Sequence, residues 1–134
     1  MPTEQNKAIA RRLIAAINEQ DLNTLDEVLA PELAKRFKER TVPWLYSTFG
    51  EGHRMTITDL LAEGDKVWLR LATSGGHTGE WLGVPPTGKQ WTNTGMYFLG
   101  LDDSKVVELS VLFDNLNLLQ QLGAMITPPA TVEQ

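Results

Sequence analysis

The chain of 134 residues contains no cysteine, which excludes disulfide scaffolds, thiolate metal sites and cysteine nucleophiles together. Histidine is scarce: only His53 and His77 occur, and neither stands in a His-x-x-x-His or similar cluster. A dedicated zinc site is therefore not expected. Basic residues are in deficit, with 12 Lys and Arg against 17 Asp and Glu, a net charge of −5. A nucleic-acid binder needs a basic face to neutralise phosphates, and a membrane-surface helix needs one for anionic headgroups. Neither class fits this chain. Long apolar runs are missing as well: the longest, Leu13 to Ile17, is far short of the roughly 20 residues that span a bilayer. The opening Met1-Pro2-Thr3-Glu4-Gln5 has no basic n-region and no apolar h-region. A cytoplasmic protein is the expectation.

What is present suits one soluble globular domain, with 42% hydrophobic and 22% charged residues over a length that leaves no room for a second. Residues 1–134 are read as a single domain with its core over about 6–123 and a loose, Pro-rich tail over 124–134. The first forty residues carry helical periodicity. Ile9, Leu13, Ile14 and Ile17 fall on one face, with Thr3 as the expected N-cap. Asn23 is expected to start a second helix and Pro31 to stop it or open the next. Trp44, Leu45, Tyr46 and Phe49 then crowd together.

From His53 the pattern becomes that of strands. Expected are a strand from Met55, the turn Glu63-Gly64-Asp65, and strands over 66–74, 78–82, 89–99 and 105–113. Pro85-Pro86-Thr87-Gly88 and Asp102-Asp103-Ser104 are the other turns, and Asn115 to Gln121 a short helix that Gly123 ends. Helices followed by hairpin-linked strands give an α+β fold with an antiparallel sheet. In the last strand Val107, Leu109, Val111 and Phe113 share one face, and Val106, Glu108, Ser110, Leu112 and Asp114 the other. Both faces are substantially apolar, so both are expected to be covered, one by the helices and the other by a second copy of the chain.

No phosphate loop, dinucleotide fingerprint or Ser-His-Asp motif occurs. The residue that stands out is Asp114, at the end of an apolar strand. Two readings are open: a carboxylate in apolar surroundings with raised pKa, acting as acid or base, or the N-cap of the helix that begins at Asn115.

Three stretches, AIARRLIAAINEQDLNTLDEVLAPE, GDKVWLRLATSGGHTGEWLGVPPTGKQW and SKVVELSVLFDNLNLLQQLG, resemble the SnoaL-like polyketide cyclase family over about residues 6–123. The resemblance implies the nuclear-transport-factor-two-like fold, a cone-shaped curved antiparallel sheet wrapped around N-terminal helices, with a pocket and usually dimeric. It further implies that Asp114 is the general acid/base of an intramolecular aldol closure that needs no metal or cofactor. Two positions depart from the family pattern: Ser110 where Trp is usual, and Tyr97 where a polar residue such as His or Asp is common.

Other candidates follow from position. Tyr97 shares a strand face with Trp91, Asn93 and Gly95, and its phenol either donates to a substrate carbonyl or belongs to the core. Arg70 either binds a substrate carboxylate or pairs with Glu108. His77 is a ligand-binding candidate or a polar turn residue. Trp44, Tyr46 and Phe49 either line a pocket mouth or staple helices to the sheet. The expected function is a cofactor-independent acid/base enzyme acting on a small apolar carbonyl compound. The alternatives are a small-molecule binding module without turnover and a ketosteroid-isomerase-like proton-transfer enzyme. Expected site residues are Asp114 and Tyr97 as catalysts, with Arg70, Trp91, Ser110, Trp44, Phe49 and His77 around the ligand.

Overall fold

A computed structural model describes residues 2–124. Helix α1, Pro2–Glu19, buries Ile9, Ala10, Leu13, Ile14, Ala16 and Ile17, which is the apolar stripe of the sequence. It starts at Pro2, so Thr3 lies inside the first turn rather than capping it; Pro is preorganised for that position and has no N–H to leave unpaired. Gln20, at φ 53°, breaks the chain direction. Helix α2, Leu22–Val28, is capped by Asp21, whose Oδ1 accepts from the Thr24 N–H at 3.1 Å. The cap therefore falls at Asp21, two residues before the expected Asn23; the two residue types cap about equally well. Pro31 opens helix α3, Pro31–Arg36, which passes through a π-helical turn, Phe37–Thr41, into helix α4, Val42–Phe49.

Four antiparallel strands follow in sequence order: β1 Arg54–Glu63, β2 Lys66–Gly75, β3 Trp91–Asp102 and β4 Lys105–Phe113. Strand β2 alternates without interruption, with Val67, Leu69, Leu71 and Thr73 facing the helices. Two bulges break the register, between Ile57 and Asp59 in β1 and between Gly100 and Leu101 opposite β4. An extra residue bends its strand and sharpens the twist, which curves the sheet around α1. The second bulge also corrects the expected faces of β4. Because Leu101 pairs with Val106 and Gly100 with Glu108, Val107 is the surplus residue. Val106 therefore turns inward and is fully buried, while Val107 is exposed.

The strand expected over 78–82 is absent. That segment forms a loop with a single bridge between Trp81 and Val84, and Leu82 and Gly83 take positive φ. Its amides are used elsewhere, since the N–H groups of Thr78 and Gly79 both donate to the Thr48 carbonyl. Helix α5, Asn115–Gln121, closes the open end of the sheet. It is stitched to β3 by Gln121, which exchanges two hydrogen bonds with the Thr92 backbone. The tail expected to be loose lies, from residue 125 onward, outside the described residues. No helix among the described residues is long and apolar enough to cross a membrane.

Two apolar clusters result. The larger lies between α1 to α4 and the inner sheet face; the smaller comprises Phe49, Trp81, Trp91, Leu118 and Leu122 at the sheet's open end.

Candidate functional site

Beside the smaller cluster lies a cavity of about 260 Å³. Its wall takes Trp44, Leu45 and Phe49 from α4, His53 from the turn before β1, and Thr73 from β2. Trp81 comes from the following loop, Trp91 and Asn93 from β3, Val111 and Phe113 from β4, and Asn115 and Leu118 from α5. Every element at this end of the fold contributes. Strand periodicity explains the choice: Trp91, Asn93 and Gly95 alternate on the inner face of β3, and Gly95 pairs with Phe113.

The aromatic side chains hold one another. Phe49 meets Trp44, Trp81 and Trp91 edge-on at centroid distances of 5.6, 6.0 and 5.0 Å, a favoured arrangement for ring quadrupoles. The indole N–H of Trp91 donates to the Gly76 carbonyl. Gly75 gives these groups room, since a Cβ there would crowd Trp91 Cζ2 at 3.0 Å and the Phe49 carbonyl oxygen at 3.1 Å.

Besides the exposed Asn115, three buried polar side chains interrupt this wall. His53, Thr73 and Asn93 are 5%, 3% and 8% exposed. His53 Nδ1 and Thr73 Oγ1 have no hydrogen-bond partner among the described residues. The His53 ring stacks on Phe49 and meets Tyr46 edge-on. This burial pushes its pKa down to about 4, because a low-dielectric setting disfavours the charged imidazolium. Asn93 is held from below, its Oδ1 accepting from Asn117 Nδ2 at 3.0 Å.

The residues expected from the sequence divide into two groups. Trp44, Phe49 and Trp91 line the cavity. Tyr46, in the same aromatic run, instead staples α4 to α1: its hydroxyl donates to the Ile17 carbonyl at 2.7 Å. Tyr97 is a buried member of the larger cluster, edge-on to Phe113 at 6.2 Å, and burial raises its pKa. Arg70 and Ser110 lie on the outward sheet face, away from the cavity, because their parity in β2 and β4 points them to solvent. Arg70 stands 3.9 Å from Asp59 rather than by Glu108, which faces Lys66. His77 is fully buried but acts on the loop. Its Nδ1 accepts from the Thr87 N–H at 3.1 Å, and the Thr87 hydroxyl lies 2.9 Å away, pinning the Pro85–Lys89 turn.

Asp114 is the N-cap of α5, its Oδ1 accepting from the Asn117 N–H at 3.0 Å. The expected apolar surroundings are not found: one residue beyond the strand, its side chain is exposed. Its two chain neighbours, Phe113 and Asn115, both line the cavity, and Asp114 itself is not among the lining residues. The sequence reading did not single out His53, Thr73, Trp81 or Asn115. The one available signal was for Asn93, which falls on the Trp91 face by the period of two. Among the described residues, no three His, Asp or Glu side chains gather as metal ligands.

The sequence profile of the SnoaL-like polyketide cyclase family matches residues 7–122. No functionally curated protein matches the chain. Among solved structures, TsrD from Streptomyces laurentii superposes with a TM-score of 0.79 at 27% identity, covering 91% of this chain and 97% of that one. IdmH from Streptomyces antibioticus, provisionally assigned as a polyketide cyclase, gives 0.76 at 26% identity over 90% and 99%. AclR from Streptomyces galilaeus, provisionally assigned as a hydroxylase, gives 0.77 at 25% over 95% and 90%. The curved four-stranded antiparallel sheet, the N-terminal helices and a profile match over nearly the whole length make this chain a member of the SnoaL-like polyketide cyclase family.

Proposed function

We propose that the protein is a cofactor-independent acid/base enzyme that acts on a small apolar carbonyl compound held in the aromatic cavity, with Asp114 as the proton carrier. The observation that carries this reading is a carboxylate whose two chain neighbours, Phe113 and Asn115, both line a largely apolar cavity. Family membership supports it, since the corresponding aspartate of the family is its acid/base. In the proposed step Asp114 takes a proton from a carbon next to a carbonyl. The resulting enolate carbon bonds to a second carbonyl carbon of the same molecule, and the alkoxide so formed recovers the proton. The aromatic wall supplies area for a flat substrate, and the cap hydrogen bond from Asn117 fixes one carboxylate oxygen.

The test uses 2-tetralone, a bicyclic ketone, and follows deuterium uptake at its activated carbon by NMR. The wild-type protein is expected to accelerate exchange and Asp114→Asn to lose about 10²–10⁴-fold of that rate, with 2-tetralone binding retained. Binding without acceleration in the wild type would instead favour a binding module, a reading that the exposure and capping role of Asp114 also suit.

We further infer a cytoplasmic homodimer joined through the outward sheet face. Leu61 and Trp68, paired across β1 and β2, are 70% and 54% exposed, and Leu112 is exposed on β4. Phe98 continues the row from Trp68, edge-on at 5.1 Å. Apolar side chains in such a row favour a partner surface over water.

A further inference from the structure

One patch of the cavity wall is both polar and buried, and the patch is unfinished. Thr73 pairs with Asn93 across β2 and β3 and with Met55 across β1 and β2, and His53 stands two residues before Met55. All three polar side chains are more than nine-tenths buried and all three line the cavity. His53 Nδ1 and Thr73 Oγ1 lack partners among the described residues. Asn93 has its oxygen engaged by Asn117. Leaving a buried polar group unpaired is costly, and valine or phenylalanine would fill the same space without that cost. Two such groups in one wall of one cavity mark a place where hydrogen bonds are completed by something that enters.

We infer that His53, Thr73 and Asn93 form a polar subsite that seats one hydroxyl or carbonyl oxygen of the ligand and so selects oxygenated aromatic compounds over plain hydrocarbons. The inference rests on the cavity being the ligand site. The donor and acceptor inventory fits a phenol: a neutral imidazole accepts at one nitrogen, a threonine hydroxyl both donates and accepts, and an amide nitrogen donates. One ligand hydroxyl can therefore donate to His53 and accept from Thr73 or Asn93. Burial keeps the imidazole neutral near pH 7, which preserves its acceptor. The volume, about 260 Å³, lies just below the roughly 300–1,000 Å³ of pockets for drug-sized ligands. One or two fused rings match it, stacked among Trp44, Phe49, Trp81 and Trp91.

Equilibrium dialysis of the full chain against 2-naphthol and against naphthalene tests this. Hydrophobicity alone favours naphthalene, so the quantity read is the ratio of the two dissociation constants in each protein. Thr73→Val and His53→Phe are each expected to shift that ratio about tenfold toward naphthalene, the loss of a hydrogen bond of ordinary net strength, with naphthalene affinity changed less than threefold. An unchanged ratio in both variants, with both compounds still bound, overturns the subsite and leaves the cavity standing. If the wild type binds neither compound, the cavity reading falls and the subsite with it.

Discussion

The ring of Phe113 lies directly over Gly95, its cross-strand partner: a Cβ on Gly95 would stand 2.3 Å from Phe113 Cε1. The missing side chain on β3 is the space that lets Phe113 lie flat and form part of the cavity wall. Gly95→Ala is expected to push the ring aside and destabilise the protein by about 1–3 kcal/mol, as overpacking does. Phe113→Ala in the same chain should recover part of that loss, because the two groups compete for one volume. Urea denaturation of the two single variants and the double variant gives the coupling; additive losses would show that the ring moves at no cost.

Thr73 offers a stability test of a functional residue. Its buried hydroxyl has no partner among the described residues, so Thr73→Val should stabilise the ligand-free protein by about 1 kcal/mol, the lower end of the cost of an unpaired group. Ligand binding should weaken in the same variant. A lower unfolding midpoint would mean the hydroxyl is already satisfied in the ligand-free protein.

His53 makes stability pH-dependent with a definite sign. Its folded pKa is held near 4 against an ordinary 6.5. Above pH 6.5 the ring is neutral folded and unfolded and contributes no dependence. Between 6.5 and 4 the unfolded chain takes up a proton that the folded chain refuses, so stability falls as pH falls, by up to about 3 kcal/mol. Urea midpoints at pH 7.5 and 4.5 measure this. Carboxylates titrate over part of the same range, so the comparison is with His53→Phe, which is expected to lose less than the wild type.

Asp114 is separable as cap and as proton carrier. Asp114→Ala should cost about 0.5–2 kcal/mol through the lost bond to the Asn117 N–H, whereas Asp114→Asn should keep nearly all of that stability. Thermal unfolding of both variants checks the cap. An Asn variant as unstable as the Ala variant would mean that the negative charge, not the cap geometry, holds α5 in place.

The homodimer is checked by sedimentation. The wild type is expected to sediment as a dimer at micromolar concentration and Trp68→Glu as a folded monomer, because the substitution buries a charge without a partner. A monomeric wild type would remove the proposal.

Much of this protein was legible in one dimension. The stripe Ile9, Leu13, Ile14 and Ile17 specified the face of α1, because a 3.6-residue period leaves only one way to bury those side chains together. The hairpin turns and the bounds of β4 and α5 followed from short-range chemistry of the same kind: turn residues at Gly64 and at Asp102 to Ser104, and a helix stop at Gly123. The strand expected over 78–82 failed for a non-local reason, since the amides of Thr78 and Gly79 are taken by the carbonyl of Thr48, some thirty residues away. The parity of β4 failed at the bulge, where the surplus Val107 moved Val106 to the inner face.

The sequence by itself determined the fold class through period and turn chemistry and the family through its resemblance, and it offered Trp44, Phe49 and Trp91 as candidates around a ligand. Only the tertiary structure decided which polar groups share the cavity. His53, Thr73 and Asn93 are separated by twenty residues at each step and carry no common motif. They meet because cross-strand register sets Thr73 opposite Asn93 and because the turn after Gly50 brings His53 beside Phe49 and Trp91. Register and burial are properties of the folded chain, and burial is also what leaves the imidazole neutral and the threonine hydroxyl without a partner among the described residues.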